Sequence, residues 1–324
     1  MIMTLIQPVQ DSSIPEFLAI GHITRDHFLA SLLTAGTLGR CDSIVAGMAF
    51  KLHPDGTYSL GGTVTFAAVT AYRLGLVTAI VTCADEQLLK ELPARLPPIG
   101  IAARVSPATT TFINQYRDGF RTQYLRARAD SLQHEDVPAA WLNAPVVLLG
   151  PLVQELDPEF VTLFPRRPGA IIAATPQGWL RRWDAAGRIW PTAWNAADKV
   201  LPHLDVIILS HDDLLPFANG NRSEADAILS RWSLQVPLLV ATDGRHGATL
   251  FQHGETEHFK AYPVHEVDPT GAGDVFAAAF LCHLYKHRNP REAVNFANCV
   301  ASFSIEHAGM QGIPTMEMVM KRLI

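Results

Sequence analysis

Seven consecutive residues, Asp268-Pro269-Thr270-Gly271-Ala272-Gly273-Asp274, combine the residue types that phosphate chemistry needs. Two glycines let a backbone turn sharply and let an anion approach where a Cβ would block it. The apolar-rich stretch from about Gly273 to Tyr285 predicts a helix. The amides of Gly271, Ala272 and Gly273 then lie at its N-terminus, where the dipole adds about half an elementary charge of positive potential. Such a group is an anion hole for the charge spread over a transferring phosphoryl group. Asp274, in the first helical turn, is placed to take the proton of an attacking hydroxyl, a role worth about 10² to 10⁴ in rate. The plainer reading is a glycine turn with Asp274 charging a helix start. Six fixed residues of this kind arise by chance on the order of once in 10⁴ to 10⁵ chains of such composition, so the chemical reading is preferred.

An anion hole and a base need a rigid frame. Short apolar runs at Phe17–Ile20, Thr78–Thr82, Val146–Leu149, Ala170–Ala174, Val206–Leu209 and Leu238–Thr242 read as buried strands. Amphipathic stretches lie between them, among them Thr63–Leu74, Glu224–Trp232 and Arg291–Ile305. This alternation predicts right-handed βαβ units, hence an α/β fold of three α/β/α layers around a mostly parallel central sheet. Ligands then bind beyond the carboxyl ends of the strands. Two segments break the rhythm: 43–60, with a turn at His53-Pro54-Asp55-Gly56, and 109–125, with a turn at Arg117-Asp118-Gly119. They are expected to pair as a small β-lid drawn from about 36–60 and 107–128. The chain 1–324 is expected to be a single domain, since no linker or repeat divides it.

In the order of these elements the chain resembles the ribokinase-like, or PfkB, carbohydrate kinases. The Asp268–Asp274 loop is similar to that family's C-terminal signature. Gly21-His22-Ile23-Thr24-Arg25-Asp26 resembles its opening turn, which implies that Asp26 binds acceptor hydroxyls. Gly61 and Gly62 resemble its di-glycine substrate loop. Thr242, Gly244 and Gly247, in Thr242-Asp243-Gly244-Arg245-His246-Gly247, resemble the turn near the ATP phosphates and ribose. Asn298, in Phe296-Ala297-Asn298, resembles the helix segment beside the adenine, and Thr270 falls with the donor. The resemblance implies MgATP as donor and a monovalent cation, K⁺, beside the anion-hole loop near Asp268. Read singly, Gly61-Gly62 and Thr242–Gly247 are plain turns and Asp26 is a helix cap.

Two departures bear on chemistry. Ser210-His211-Asp212-Asp213 stands where many relatives have Asn-x-x-Glu, which leaves Asp213 as an indirect organiser of Mg²⁺. Phe66 stands where many sugar kinases have an asparagine; a ring packs on the apolar face of a cyclic acceptor. This resembles the myo-inositol kinase branch. The expected activity is ATP-dependent phosphorylation of a hydroxyl of a small sugar or cyclic polyol. Alternative acceptors are nucleosides, and a third reading is a non-catalytic sugar- or nucleotide-binding regulator. Arg117 and Arg121 on the lid are candidates for a polar ligand or a solvated edge.

Composition narrows the partners. Hydrophobic residues make up 48% of 324, and 26 basic against 31 acidic residues give −5, without the basic stripe nucleic acid requires. Four cysteines, Cys41, Cys83, Cys282 and Cys299, are widely spaced and read as reduced thiols in a cytoplasmic protein. Apolar stretches such as Val146–Val153 and Phe276–Tyr285 are too short or interrupted to span a bilayer, so no membrane is expected, and monomer and homodimer both stay open. No P-loop or Rossmann fingerprint is present. His283 and His287 read as a solvated helix face. Trp179 and Trp183, with Arg181 and Arg182 between them, read as packing with stacked arginines.

Overall fold

Within one four-residue strand, Phe17–Ile20, alternate side chains enter different cores. Phe17 and Ala19 join one cluster of buried residues, Leu18 and Ile20 another. The computed structural model describes residues 4–7, 14–29, 44–45, 48–49, 58–117, 120–218 and 220–323. Among the described residues, six strands precede the first helix: β1 (Thr4–Gln7), β2 (Phe17–Ile20), β3 (Thr24–Leu29), β4 (Ile44–Val45), β5 (Met48–Ala49) and β6 (Ser59–Gly61). Then come α1 (Thr63–Arg73), β7 (Thr78–Ala84), α2 (Glu86–Arg95), β8 (Gly100–Val105), β9 (Thr111–Arg117), β10 (Phe120–Ala127) and β11 (Val146–Leu149). They are followed by β12 (Ile171–Ala174), β13 (Arg181–Trp183), β14 (Ile189–Pro191), α3 (Ala197–Val200), β15 (Val206–Ser210) and α4 (Arg222–Ser233). β16 (Leu238–Thr242), β17 (Ala248–Gln252), β18 (Glu255–Phe259), α5 (Ala272–His287), α6 (Pro290–Ser304) and α7 (Met316–Leu323) complete the order.

The main sheet has the order β1-β8-β7-β2-β11-β12-β15-β16-β17-β18. From β8 to β16 every pair is parallel, and β1, β17 and β18 add antiparallel edges. The chain runs outward from β2 through β7 and β8, then resumes on the other side of β2 at β11. That reversal opens a crevice at the carboxyl ends, where α/β sheets bind ligands. One face packs on α1, α2, α5, α6 and α7; the other packs on α3, α4 and the 3₁₀ turns between 134 and 218. The expected three-layer fold is borne out.

A second sheet, β10-β9-β3-β6, stands beside the crevice and is antiparallel except for the β3–β9 pair. Its strand β3 runs through Asp26, which therefore does not cap a helix. β9 and β10 form the expected hairpin, with Phe120 opposite Arg117. The side chains of Arg117 and Arg121, the turn at His53–Gly56 and Cys41 lie outside the described residues. Asp85, the N-cap of α2, ties the small sheet to the main body. It accepts from the Leu88 amide (2.9 Å), from the Thr109 hydroxyl (2.6 Å) and from both terminal nitrogens of Arg25. Burial would raise its carboxyl, but the Arg25, Thr109 and Leu88 bonds hold it at about 2.

Cys83, Cys282 and Cys299 are free and buried. Among the described residues no helix is long and apolar enough to cross a membrane. His283 is packed rather than solvated, with its ring centroid 4.7 Å from that of Phe296 and 4.3 Å from that of His287. No cluster of three His, Cys, Asp or Glu able to hold a metal occurs among the described residues.

Candidate active site

The strand ends of the main sheet, the small sheet and the N-terminus of α5 enclose a cavity of about 940 Å³. Its size is that of a site for two small ligands or one large one.

Gly271 is the N-cap of α5 in the left-handed conformation (φ 79°), a shape glycine adopts without strain. A Cβ there would lie 2.5 Å from the ring of Phe66, so packing forbids a side chain as well. Gly273 is different. Its φ is not positive and a Cβ on it would meet nothing within 4 Å. Neither backbone nor packing requires glycine at 273; open space in front of it is room for a ligand. The helix closes with the Val275 amide on the Gly271 carbonyl (2.9 Å), and the Ala272 amide makes a turn bond to Pro269 (3.2 Å). The amides of Gly273 and Asp274, in the first turn, have no acceptor within the helix.

Asp274 faces the same cavity. Withdrawal from water pushes its carboxyl up to about 6. The hydroxyl of Thr63 and the charge of Arg181 oppose that rise, while Asp213 and Asp26 add to it. Thr63 is oriented by Gly150, where a Cβ would come within 2.6 Å of the threonine methyl. A carboxyl near 6 is ionised at neutral pH yet basic enough to accept a proton, the balance general-base catalysis requires.

The acceptor candidates come from β3, β6 and the start of α1. Asp26 is 6% exposed and accepts from the Thr24 hydroxyl (2.8 Å). Gly61 pairs with Thr24 across the small sheet, and a Cβ on it would strike the Asp26 carboxylate. Gly62 (φ 93°) starts α1, and a Cβ on it would strike the His22 carbonyl. Phe66 lines the wall, 4% exposed, with its ring against Gly271.

The donor candidates come from β16 and the turn after it, from α6 and from the loop before α5. Thr242 and Gly244 line the cavity, as does Gly247 (φ 99°), where a Cβ would collide with the Phe259 carbonyl. Asn298 donates to the carbonyls of Phe259 (3.4 Å) and Lys260 (3.2 Å), which fixes the loop beneath Tyr262. The Thr270 hydroxyl is buried without a hydrogen-bond partner and lines the cavity. Asp268 accepts from the amides of Thr270 (3.0 Å) and Gly309 (3.1 Å), closing the loop around its charge.

Ser210-His211-Asp212-Asp213 is a capping box. The Ser210 hydroxyl accepts from the Asp212 amide and Asp213 accepts from the Ser210 amide, each at 3.2 Å. This gives serine and aspartate a local reason to stand there. Asp212 and Asp213 still line the cavity, and burial pushes the Asp213 carboxyl up.

Among the lining residues not foreseen, Gln177 and Arg181 stand beside the carboxylates. Gln177 bonds Asp213, and Arg181 lies close enough to lower both Asp213 and Asp274. Arg181 is held at a defined place. Gly178 before it packs on Pro151 and Leu152, Trp179 donates to Leu156 (2.8 Å), and the Arg181 carbonyl accepts from Gln154 (2.6 Å). The expectation of stacked arginines here is corrected. Trp179 stacks on Trp194, and the cation over Trp183 is Arg128. No short-range signal marked Arg181, because its charged neighbours come from the turn after β15 and from α5.

Residues 183–316 match the model of the pfkB family carbohydrate kinases. Among solved structures, a pyrophosphate-dependent kinase of the ribokinase family, complexed with a pyrophosphate analog and myo-inositol, is similar with a TM-score of 0.72 at 20% identity. The alignment covers 94% of this chain and 99% of that one. Arabidopsis thaliana ribokinase, complexed with ribose and ATP, is similar with a TM-score of 0.69 at 19% identity, covering 96% and 99% of the two chains. The resemblance read from the motifs is borne out, and the fold is ribokinase-like. By sequence the chain is 30% identical over 159 residues to probable fructokinase-5 of Arabidopsis thaliana, covering 45% of this chain and 49% of the relative. The chain spans about half the length of that curated relative.

Proposed function

We propose that the protein transfers the terminal phosphoryl group of ATP to a hydroxyl of a small sugar or cyclic polyol. The observation that carries this is the pair at the start of α5. Gly273 leaves room that neither backbone nor packing needs, and Asp274 beside it has a carboxyl raised to about 6. An anion cradle next to a tuned base is the minimum apparatus for phosphoryl transfer to an alcohol.

In this reading the acceptor lies between Asp26, Gly62 and the small sheet, with one hydroxyl toward Asp274. Asp274 takes that proton as the oxygen attacks, and the first-turn amides of α5 with Arg181 meet the charge on the moving phosphoryl group. The donor extends past Thr242 and Gly247 toward Tyr262, Ala301 and Ile305, an apolar wing that supports a nucleoside rather than bare pyrophosphate. The carboxylates Asp212 and Asp213, which line the cavity, would hold a Mg²⁺, and the ion would supply positive charge against the donor phosphates. Asp268 is assigned to loop closure, and exchanging K⁺ for tetramethylammonium in the assay tests a cation role beside it. The small sheet acts as a lid that keeps water from the phosphoryl group.

The test is ADP release with ATP and a panel of polyols, aldoses and nucleosides, with pyrophosphate as a second donor. Turnover with a polyol or aldose is expected, and Asp274→Asn should abolish most of it while nucleotide binding persists. A nucleoside-only profile moves the acceptor class. Tight ligand binding without any turnover replaces the enzyme by a regulator, and near-normal turnover of Asp274→Asn removes the assigned base.

A further inference from the structure

The contact between Phe66 and Gly271 joins α1 to the turn that opens α5. Phe66 belongs to the first turns of α1, whose opening residues Gly62 and Thr63 line the acceptor end. Gly271 is the N-cap of α5, from which the donor-side amides extend. The ring is 4% exposed and is part of the larger core cluster. Two of its atoms lie 2.5 Å from where a Gly271 Cβ would stand, so ring and backbone are in direct contact.

The helix that carries the ring is firmly seated. The Thr65 hydroxyl donates to the Gly61 carbonyl (2.6 Å), and the Thr70 hydroxyl donates to the Phe66 carbonyl (2.8 Å). Gly62 is wedged against His22 at the end of β2. A tightly packed interior transmits displacement instead of absorbing it. Movement of the α1 start is therefore passed to the turn at Gly271.

We infer that Phe66 is a positioning residue whose ring seats the Gly271 turn and thereby sets the phosphate cradle from the acceptor helix. The ring's work is on the protein's own loop, and not on the face of the acceptor. This rests on reading Gly271–Asp274 as the phosphate cradle. Shortening the ring lets the turn sink toward α1 and moves the amides off the transferring group. A displacement of this kind lowers kcat and leaves acceptor affinity intact.

The experiment is steady-state kinetics of Phe66→Leu and Phe66→Met across the acceptor panel, with folded fraction measured at assay temperature. Val69→Ala, another buried residue of α1 in the same cluster, is the stability control. The expected result for Phe66→Leu is a fall in kcat of about tenfold or more with acceptor KM within about twofold and the order of acceptors unchanged. Phe66→Met, closer in volume, should recover part of that loss, and Val69→Ala should keep its kcat. A normal kcat in folded Phe66→Leu overturns the inference. So does a raised acceptor KM or a reordered panel, which would place the ring on the acceptor. Gly273→Ala separates the underlying reading: full turnover in that variant removes the cradle itself, whereas an inactive Gly273→Ala beside a normal Phe66→Leu removes only the role of Phe66.

Discussion

Asp274 and its neighbours give the residue scale its sharpest expectations. Its carboxyl stands above the ordinary value because it is withdrawn from water, with Asp213 and Asp26 adding to the rise and Thr63 and Arg181 opposing it. As a base it must be ionised, so kcat/KM should climb with pH through about 6 and level off above. A profile flat from pH 5 to 8 would contradict the assignment. Arg181→Met removes a neighbouring positive charge, so the acid limb should move to higher pH, and an unmoved limb would place the guanidinium out of reach. Stability carries the opposite sign. A raised folded-state pKa favours folding with the proton on, and that advantage is lost as pH rises through about 6. Asp274→Asn should therefore be more stable than the native chain at pH 8, by on the order of 1–2 kcal/mol after allowance for solvent screening, with little gain at pH 4. Thermal melts at the two pH values check this.

At the scale of elements, the two glycines of the loop should behave differently because they are glycine for different reasons. Gly271→Ala meets both a left-handed backbone and the Phe66 ring, and should lose stability and activity together. Gly273→Ala meets open space and should fold normally, with turnover reduced about 10²-fold or more as the methyl occupies the phosphate position. Equal melting losses in the two variants would contradict this distinction. The join between the small sheet and α2 depends on Asp85, which serves at once as N-cap and as partner of Arg25. Asp85→Ala should cost about 1–3 kcal/mol in urea unfolding, since a cap and a partly buried ion pair go together. The carboxyl lies at about 2, so its contribution is fully present at neutral pH and is lost only as pH falls toward that value.

For the whole molecule, the strand order makes the site. Motifs far apart in the chain converge because β2, β11, β12, β15 and β16 are parallel and end on one side. The small sheet stands over that side, with Asp26 and Gly61 on adjacent strands. If it closes on the ligands, the radius of gyration measured by solution scattering should fall when donor and acceptor are added together. An unchanged radius would make it a fixed wall. The six buried strands read from apolar runs are present with ends shifted by no more than two residues, because a strand covered on both faces advertises itself locally. β3 was not legible. Thr24–Leu29 mixes charged and apolar residues, and its strand form depends on β6 and β9 beside it.

The sequence by itself determined the wound sheet and the helix that begins in the glycine loop, since local spacing and residue type carry that information. It also brought out Asp26, the di-glycine pair, Thr242–Gly247 and Asn298, all of which lie on or next to the cavity. Only the tertiary structure decided what those residues touch. Arg181 gained a place by Asp274, Ser210 and Asp213 became a capping box, and Phe66, on the cavity wall, gained a contact with Gly271. Each of these depends on groups brought together from distant strands and helices, and no pattern of neighbours along the chain encodes such a meeting.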